Sequence, residues 1–78
     1  MNKNDFLEQY DHTLRTIEDI IDNQSEDLDY ENQAGMLTIF CPNGSQIIIS
    51  RQSALSELWL AAKHGGFHFK YTDGQWQS

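Results

Sequence analysis

The chain of 78 residues contains a single cysteine, a single proline and only five basic residues. One cysteine cannot form an internal disulfide, and together with three scattered histidines it does not make a zinc-finger pattern. We therefore expect a reduced, cytoplasmic setting, which is usual for proteins without disulfides. No run of apolar residues approaches the ~18 that a membrane span requires, and no basic segment followed by an apolar run marks a signal peptide.

The twelve acidic residues are placed unevenly, and they give the chain a net charge of −7. Residues 1–31 hold ten of them against Lys3 and Arg15, whereas residues 32–78 are nearly neutral. Such acidity argues against nucleic acid as a partner and favours cations or basic protein surfaces. No nucleophile with its base and orienting group, and no phosphate-binding glycine loop, is recognisable, so we do not expect an enzyme.

Hydrophobic periodicity predicts one amphipathic helix followed by strands. Apolar residues recur with the helical period over residues 4–22, and the period changes to two from Leu28 onward. Further strand-like segments follow, separated by turn sequences: 36–41, 46–51, 67–71 and 75–77. Periodicity leaves residues 54–62 open between a helix and a short buried strand. The pattern predicts an α+β fold, with the N-terminal helix packed on an antiparallel sheet.

The chain is short for a domain that contains five or six strands. A domain of this size without disulfides is marginally stable, and one helix covers only part of five or six strands. The strand that contains Trp76 begins just before the chain ends, so we expect a covering element to be missing. Residues 1–78 are thus predicted to be a single, C-terminally truncated domain, and its uncovered sheet face is expected to pair either with a second copy of the chain or with another protein.

Several carboxylates fall on one side of the predicted helix, beside its apolar face. At about 100° per residue they share a sector roughly 100° wide: Glu8, Asp11, Glu18, Asp19 and Asp22. The following segment adds four more: Glu26, Asp27, Asp29 and Glu31. If the first strand packs alongside the helix, up to seven of these carboxylates crowd one edge and repel one another. Bound hard cations such as Mg²⁺, Ca²⁺ or iron would relieve this repulsion. A solvated acidic face is the alternative interpretation.

A tryptophan within residues 54–62, the segment that periodicity does not assign, is a second candidate for binding. If residues 54–62 contain a strand, Trp59 lies on the face opposite Leu58 and shares it with Ser50 and Gln52. An exposed tryptophan among small polar side chains is a frequent hot spot of protein interfaces. Burial in the core is the alternative for this side chain.

Four segments together carry a family resemblance: TIEDIID at 16–22, LDYENQAGMLTI at 28–39, the run from PNGSQ to GGFHF at 42–69, and DGQW at 73–76. The combination resembles the frataxin family in its bacterial CyaY form. The resemblance implies a frataxin-like α/β sandwich in which residues 54–62 contain a strand. It also implies that a further strand and a closing C-terminal helix, which complete the sandwich in the family, are missing here.

Members of the frataxin family bind iron weakly and contact the machinery that assembles iron–sulfur clusters. The resemblance implies a surface site for Fe²⁺ or Fe³⁺ at the matching acidic positions: Glu18, Asp19, Asp22, Asp27, Asp29 and Glu31. It also implies docking on a cysteine desulfurase and contact of the sheet face with the scaffold protein. Gln52 and Trp59 match the family's partner-binding residues, whereas Ser50 stands where the family has asparagine.

Two other functions remain open on the sequence. One is ferroxidase-like oxidation of iron with storage in oligomers, which is disfavoured because no set of glutamate and histidine residues suggests a di-iron centre. The other is a truncated acidic domain without an independent function. Divalent cations other than iron also suit the surface carboxylates.

Overall fold

A computed structural model describes residues 3–24 and 28–78. One helix precedes six strands, in chain order: α1 (Lys3–Gln24), β1 (Asp29–Gln33), β2 (Met36–Phe40), β3 (Gln46–Gln52), β4 (Glu57–Ala62), β5 (Gly65–Thr72) and β6 (Gln75–Gln77). The strands form one antiparallel sheet in which each pairs with its neighbours in sequence, from β1 at one edge to β6 at the other. The predicted α+β fold, with the helix on the sheet, is confirmed.

The helix extends two residues past the end that periodicity predicts. Asn23 remains helical, and its Nδ2 donates a hydrogen bond to the carbonyl oxygen of Asp19 at 2.8 Å. The backbone N–H of Asn23 is the usual helical partner of this carbonyl, so the side-chain bond is additional to the helical ladder. Within the described residues, no helix is long and apolar enough to cross a membrane.

The core lies between α1 and one face of the sheet. The helix contributes four buried apolar residues, which are Phe6, Tyr10, Leu14 and Ile21. Strands β2 to β4 together contribute another four, which are Leu37, Ile39, Ile49 and Leu58. The two sets meet because the helical period of one and the two-residue period of the other each bring apolar side chains to a single face. The apolar helix face predicted from the sequence is therefore confirmed.

The last strand also reaches this core. The indole of Trp76 on β6 stands edge-on to the ring of Phe6, with the centroids 6.0 Å apart. Its Nε1–H donates to Oγ1 of Thr13 on α1 at 2.9 Å. On the same side of the sheet, the ring of Phe67 on β5 stays largely exposed.

Residues 54–62, which periodicity leaves open, form a turn followed by β4. The N–H of Leu55 donates to the carbonyl of Gln52 at 3.1 Å, and the N–H of Ser56 donates to that of Ser53 at 3.2 Å. Beyond this turn, β4 pairs with β3 on one side and with β5 on the other. The segment becomes a strand because these two ladders satisfy its backbone groups.

Candidate functional site

The edge strand β1 lies beside two carboxylates of the helix. Oε2 of Glu18 accepts a hydrogen bond from Nδ2 of Asn32 at 2.8 Å, and Oδ2 of Asp22 accepts one from the hydroxyl of Tyr30 at 2.9 Å. Carboxylates four residues apart on a helix normally repel each other. The same spacing places both acids on one side of the helix, and the two donors from β1 offset part of the repulsion between them.

We call Glu18, Asp19 and Asp22 the helix carboxylates. Among the described residues, no lysine or arginine nitrogen lies within 4.0 Å of a carboxylate oxygen in this set. Nearer the N-terminus of the helix, Oδ1 of Asp11 lies 3.7 Å from Nη1 of Arg51. Asp11 thus has a basic partner, whereas the helix carboxylates form no ion pair with a lysine or arginine in the part of the chain that the structure describes.

The strand carboxylates point away from the helix. Successive side chains of a strand alternate between its two faces, and Tyr30 and Asn32 face α1. Asp29 and Glu31 therefore project from the opposite face, where both are exposed. The expectation that helix and strand acids crowd together at one edge is corrected in this respect: they form two sets on either side of β1. Asp27, also predicted to bind metal, lies outside the described residues.

The hydrogen bond to Asp22 and the negative charges on the helix raise the pKa of the Tyr30 hydroxyl. The hydrogen bond that it donates to Asp22 raises the pKa of Tyr30 above its usual value, because ionisation would break that bond and bring two negative charges together. Desolvation and the nearby charges of Asp22, Glu18 and Asp19 raise the pKa further.

The helix carboxylates do not form a closed metal cage. Among the described residues, no three Asp, Glu, His or Cys side chains make a group that could hold a metal ion. The bonds from β1 use one oxygen each of Glu18 and Asp22, and the second oxygens accept no hydrogen bond from a described residue. Such oxygens can ligate a hard cation from one side only, with water completing its coordination.

The outer face of the sheet, away from α1, carries the second predicted site. Ser50 pairs with Trp59 and Gln52 pairs with Glu57 across β3 and β4, so the predicted partner-binding residues share one face. Trp59 is 41% exposed. Beside it is a shallow hollow of about 250 Å³, whose lining includes Ile48, Ser50, Trp59, Ala61, Gly66 and His68.

Glu57 was missed by the sequence reasoning. Its carboxylate is buried on this outer face, and its Oε1 accepts a hydrogen bond from Nε1 of Trp59 at 3.0 Å. Oε2 lies 3.5 Å from Nδ1 of His68. The available signal was a charged residue two positions before the tryptophan in ELW, because side chains at that spacing share a strand face.

The sequence and the fold both match a known protein family. The family described as "Frataxin-like domain" matches residues 1–78. The chain therefore belongs to the frataxin-like family, and the resemblance inferred from the sequence segments is confirmed.

The relatives within that family are of the CyaY type. "Iron-sulfur cluster assembly protein CyaY" of Vibrio vulnificus (strain YJ016) is 46% identical over 76 residues, which cover 97% of this chain and 73% of the relative. The protein of the same name from Pseudomonas paraeruginosa (strain DSM 24068 / PA7) is 48% identical over 79 residues, with 99% and 73% covered. The solved frataxin of Psychromonas ingrahamii is 34% identical, with a TM-score of 0.90 over 97% of this chain and 72% of that one.

Proposed function

We propose that this chain takes part in iron–sulfur cluster assembly as an iron-binding protein without catalytic activity of its own. Its relatives from Vibrio and Pseudomonas carry the name iron-sulfur cluster assembly protein CyaY. Because these relatives are bacterial proteins, the setting that we propose is the bacterial cytoplasm. The proposal has three parts, which are iron binding, docking on the enzyme that supplies sulfur, and contact with the scaffold.

The observation that carries the proposal is the state of Glu18 and Asp22. Both acids lie on one side of α1 and accept one hydrogen bond each from β1, and each keeps a carboxylate oxygen that accepts no hydrogen bond from a described residue. Fe²⁺ or Fe³⁺ bound there would gain oxygen ligands and relieve the repulsion between the two charges. We expect the binding to be weak, because the site is shallow and much of the coordination is left to water.

The remaining proposed ligands extend this surface. Asp19 is exposed beside Asp22 on the helix, and Asp29 and Glu31 are exposed on the other face of the edge strand. Asp27 precedes β1 in sequence and completes the proposed set. Two sets of carboxylates on either side of one strand are more consistent with separate weak sites than with one central ion.

The same acidic surface is proposed to dock on a basic patch of a cysteine desulfurase. Residues 1–31 carry a net charge of −8, while the rest of the chain is nearly neutral. A charge concentrated in this way orients the molecule as it approaches a positive surface and raises the association rate, an effect that salt weakens. Iron and the desulfurase would then compete for the same carboxylates.

The outer sheet face is proposed to contact the scaffold protein through Ser50, Gln52 and Trp59. Trp59 provides a large exposed aromatic surface, and Ser50 and Gln52 provide polar groups beside it on the same face. Aromatic side chains surrounded by small polar ones are frequent centres of binding energy. The serine side chain is shorter than asparagine and lacks its amide, so it offers fewer hydrogen bonds to a partner.

The iron-binding part is tested by anaerobic titration of the ¹⁵N-labelled protein with Fe²⁺ while amide signals are recorded. We expect the signals of residues 18–31 to broaden first. Replacing Glu18 by Gln and Asp22 by Asn removes both charges with little change of shape and should abolish that early broadening. Asp73→Asn, in the β5–β6 turn, removes one charge elsewhere and serves as the control. Broadening that spares residues 18–31 in the unaltered protein would refute the iron site.

The docking part is tested by charge reversal in a binding assay with a purified cysteine desulfurase. Glu18→Lys together with Asp22→Lys should weaken binding about tenfold or more, since rim charges of opposite sign set the encounter rate. Asp73→Lys, which reverses a single charge away from the helix, is the control and should bind as the unaltered protein does. Equal binding by the helix variant and the control would contradict this part.

A further inference from the structure

The outer sheet face contains a carboxylate that is nearly buried. The side chain of Glu57 lies on the same face as Trp59, yet Glu57 is only 8% exposed. Across the neighbouring strands it is paired with Gln52 on β3 and Lys70 on β5. A charged group removed from water destabilises the fold unless hydrogen bonds or opposite charges compensate. The partners of this carboxylate are therefore informative about its role.

Both oxygens of Glu57 have a partner on this face. Oε1 accepts the hydrogen bond from Nε1 of Trp59 at 3.0 Å, and Oε2 lies 3.5 Å from Nδ1 of His68. The rings of Trp59 and His68 are themselves 6.3 Å apart between centroids, with 46° between their planes. Glu57 thus connects two rings that stand side by side over adjacent strands.

The backbone beneath this cluster is held in place by the core. Leu58 lies between Glu57 and Trp59 in sequence, points to the opposite face and is buried against α1. The strand that carries all three residues is paired on both sides. With the backbone fixed, the remaining freedom of Trp59 is rotation of its side chain, and the bond to Glu57 restricts that rotation.

We propose that Glu57 is a positioning residue for Trp59, and that it holds the exposed indole in one orientation for a protein partner. The proposal rests on the proposed contact between this sheet face and the scaffold. A side chain that is ordered before binding loses less conformational entropy when the complex forms, so the affinity is higher. Hydrogen bonds to an ionised acceptor are strong enough for this purpose even near the surface.

The chain offers a matched pair of substitutions at this position. Glu57→Gln keeps an oxygen that can accept the indole N–H, while it removes the charge. Glu57→Met has a similar length and no comparable acceptor. A residue that only stabilises the sheet would affect the melting temperature, whereas a positioning residue affects the indole of Trp59 and separates Gln from Met.

The first measurement is made on the free protein. The two tryptophans give two indole N–H signals, and that of Trp76, bonded to Thr13 on the other side of the sheet, serves as an internal reference. We expect Glu57→Met to speed hydrogen exchange of the Trp59 indole about tenfold, from the loss of a bond to a charged acceptor. Glu57→Gln should restore slow exchange, and the Trp76 signal should not change in either variant.

The second measurement is affinity for a purified iron–sulfur scaffold protein. Glu57→Met should weaken binding about as much as it speeds exchange, with Glu57→Gln close to the unaltered protein. Indole exchange that is the same in the Met variant as in the unaltered protein would overturn the positioning role, as would Met and Gln variants that bind equally well. If the unaltered protein does not bind the scaffold, the proposed contact of this face fails, while the indole signal still shows whether Glu57 holds Trp59.

Discussion

The hydroxyl of Tyr10, on the buried face of α1, donates a hydrogen bond to the carbonyl oxygen of Gly35 at 2.5 Å. The same hydroxyl lies 3.3 Å from the carbonyl oxygen of Ile49 on β3. One phenol therefore connects the helix to the turn between β1 and β2 and to the centre of the sheet. Burial raises the pKa of Tyr10 to about 12, an effect that the guanidinium of Arg51 opposes and the carboxylate of Asp11 increases.

Removing this hydroxyl should destabilise the fold. Tyr10→Phe keeps the ring in the core and leaves the carbonyl of Gly35 without its donor, so we expect a loss of about 1–3 kcal/mol in the free energy of unfolding. Urea unfolding followed by circular dichroism measures the change. Tyr71→Phe is the control, because its ring contact with Trp76 does not depend on the hydroxyl. Equal losses in both variants would contradict the assigned role.

Alkaline pH should destabilise the protein through the same group. The pKa of Tyr10 is higher in the folded state than its usual value of 10.0, so the neutral phenol contributes stability that is complete below pH 10. That contribution is lost as the pH rises towards about 12, and a two-unit shift corresponds to roughly 3 kcal/mol. Tyr30, whose pKa is also raised, acts in the same direction. In Tyr10→Phe, stability measured by urea unfolding should fall less steeply above pH 10 than in the unaltered protein.

Gly35 is needed for its backbone conformation and for the space that it leaves. Its φ is +85°, and a Cβ built there would lie 2.9 Å from Nη1 of Arg51. Gly35→Ala should cost about 1–2 kcal/mol for the left-handed backbone alone. Gly44→Ala is a close match, because its φ is +88° and nothing lies within 4 Å of the added atom. Thermal unfolding measures both variants, and any additional loss of stability at Gly35 is the cost of displacing the Arg51 side chain. An equal loss of stability at the two sites would show that the Arg51 side chain moves away without cost.

The contact between the helix and the edge strand should be visible in the titration of Tyr30. Asp22→Asn removes the charged acceptor, so the pKa of Tyr30 should fall towards its usual value. Asp19→Asn leaves the hydrogen bond intact and should lower that pKa by less. NMR of ¹³C-labelled tyrosine separates the three phenols of the chain. A larger fall in the Asp19 variant would mean that the bond to Asp22 is not the main cause.

The core between helix and sheet depends on Leu37 in β2. This side chain is fully buried, whereas Leu55, in the turn before β4, is 55% exposed. Leu37→Ala should destabilise the protein by about 2–5 kcal/mol, through lost burial and the cavity that remains. Leu55→Ala deletes the same atoms, and a change within about 0.5 kcal/mol is expected for such an exposed site. Chemical denaturation of the two variants makes the comparison.

Much of the fold was accessible from the order of apolar residues. The helix was predicted from the spacing of residues such as Phe6, Tyr10 and Leu14, and these side chains lie in the core. Residues 54–62 could not be assigned by periodicity, because a short apolar run suits a helix or a buried strand equally well. The family resemblance favoured a strand there, and the ladders with β3 and β5 show why it forms.

The candidate site was predictable in composition and less so in arrangement. Charge counting pointed to the acids of the first 31 residues, and alternation pointed to the outer face that Trp59 shares with Ser50. Neither charge counting nor alternation indicated that Tyr30 would donate a hydrogen bond to Asp22, or Asn32 to Glu18. That outcome depends on which face of β1 packs against α1, and the choice is made by the whole core.

The sequence by itself determined the helix, the strand periodicity, the concentration of negative charge and the family, because each depends on residues that are close together in the chain. Only the tertiary structure decided how the acids divide around β1, which donors hold Glu18 and Asp22, and that Glu57 lies buried beside Trp59 and His68. These contacts join residues on different elements, or depend on how neighbouring strands enclose a side chain. Their geometry is set by packing a single helix on a six-stranded sheet, which no local pattern contains.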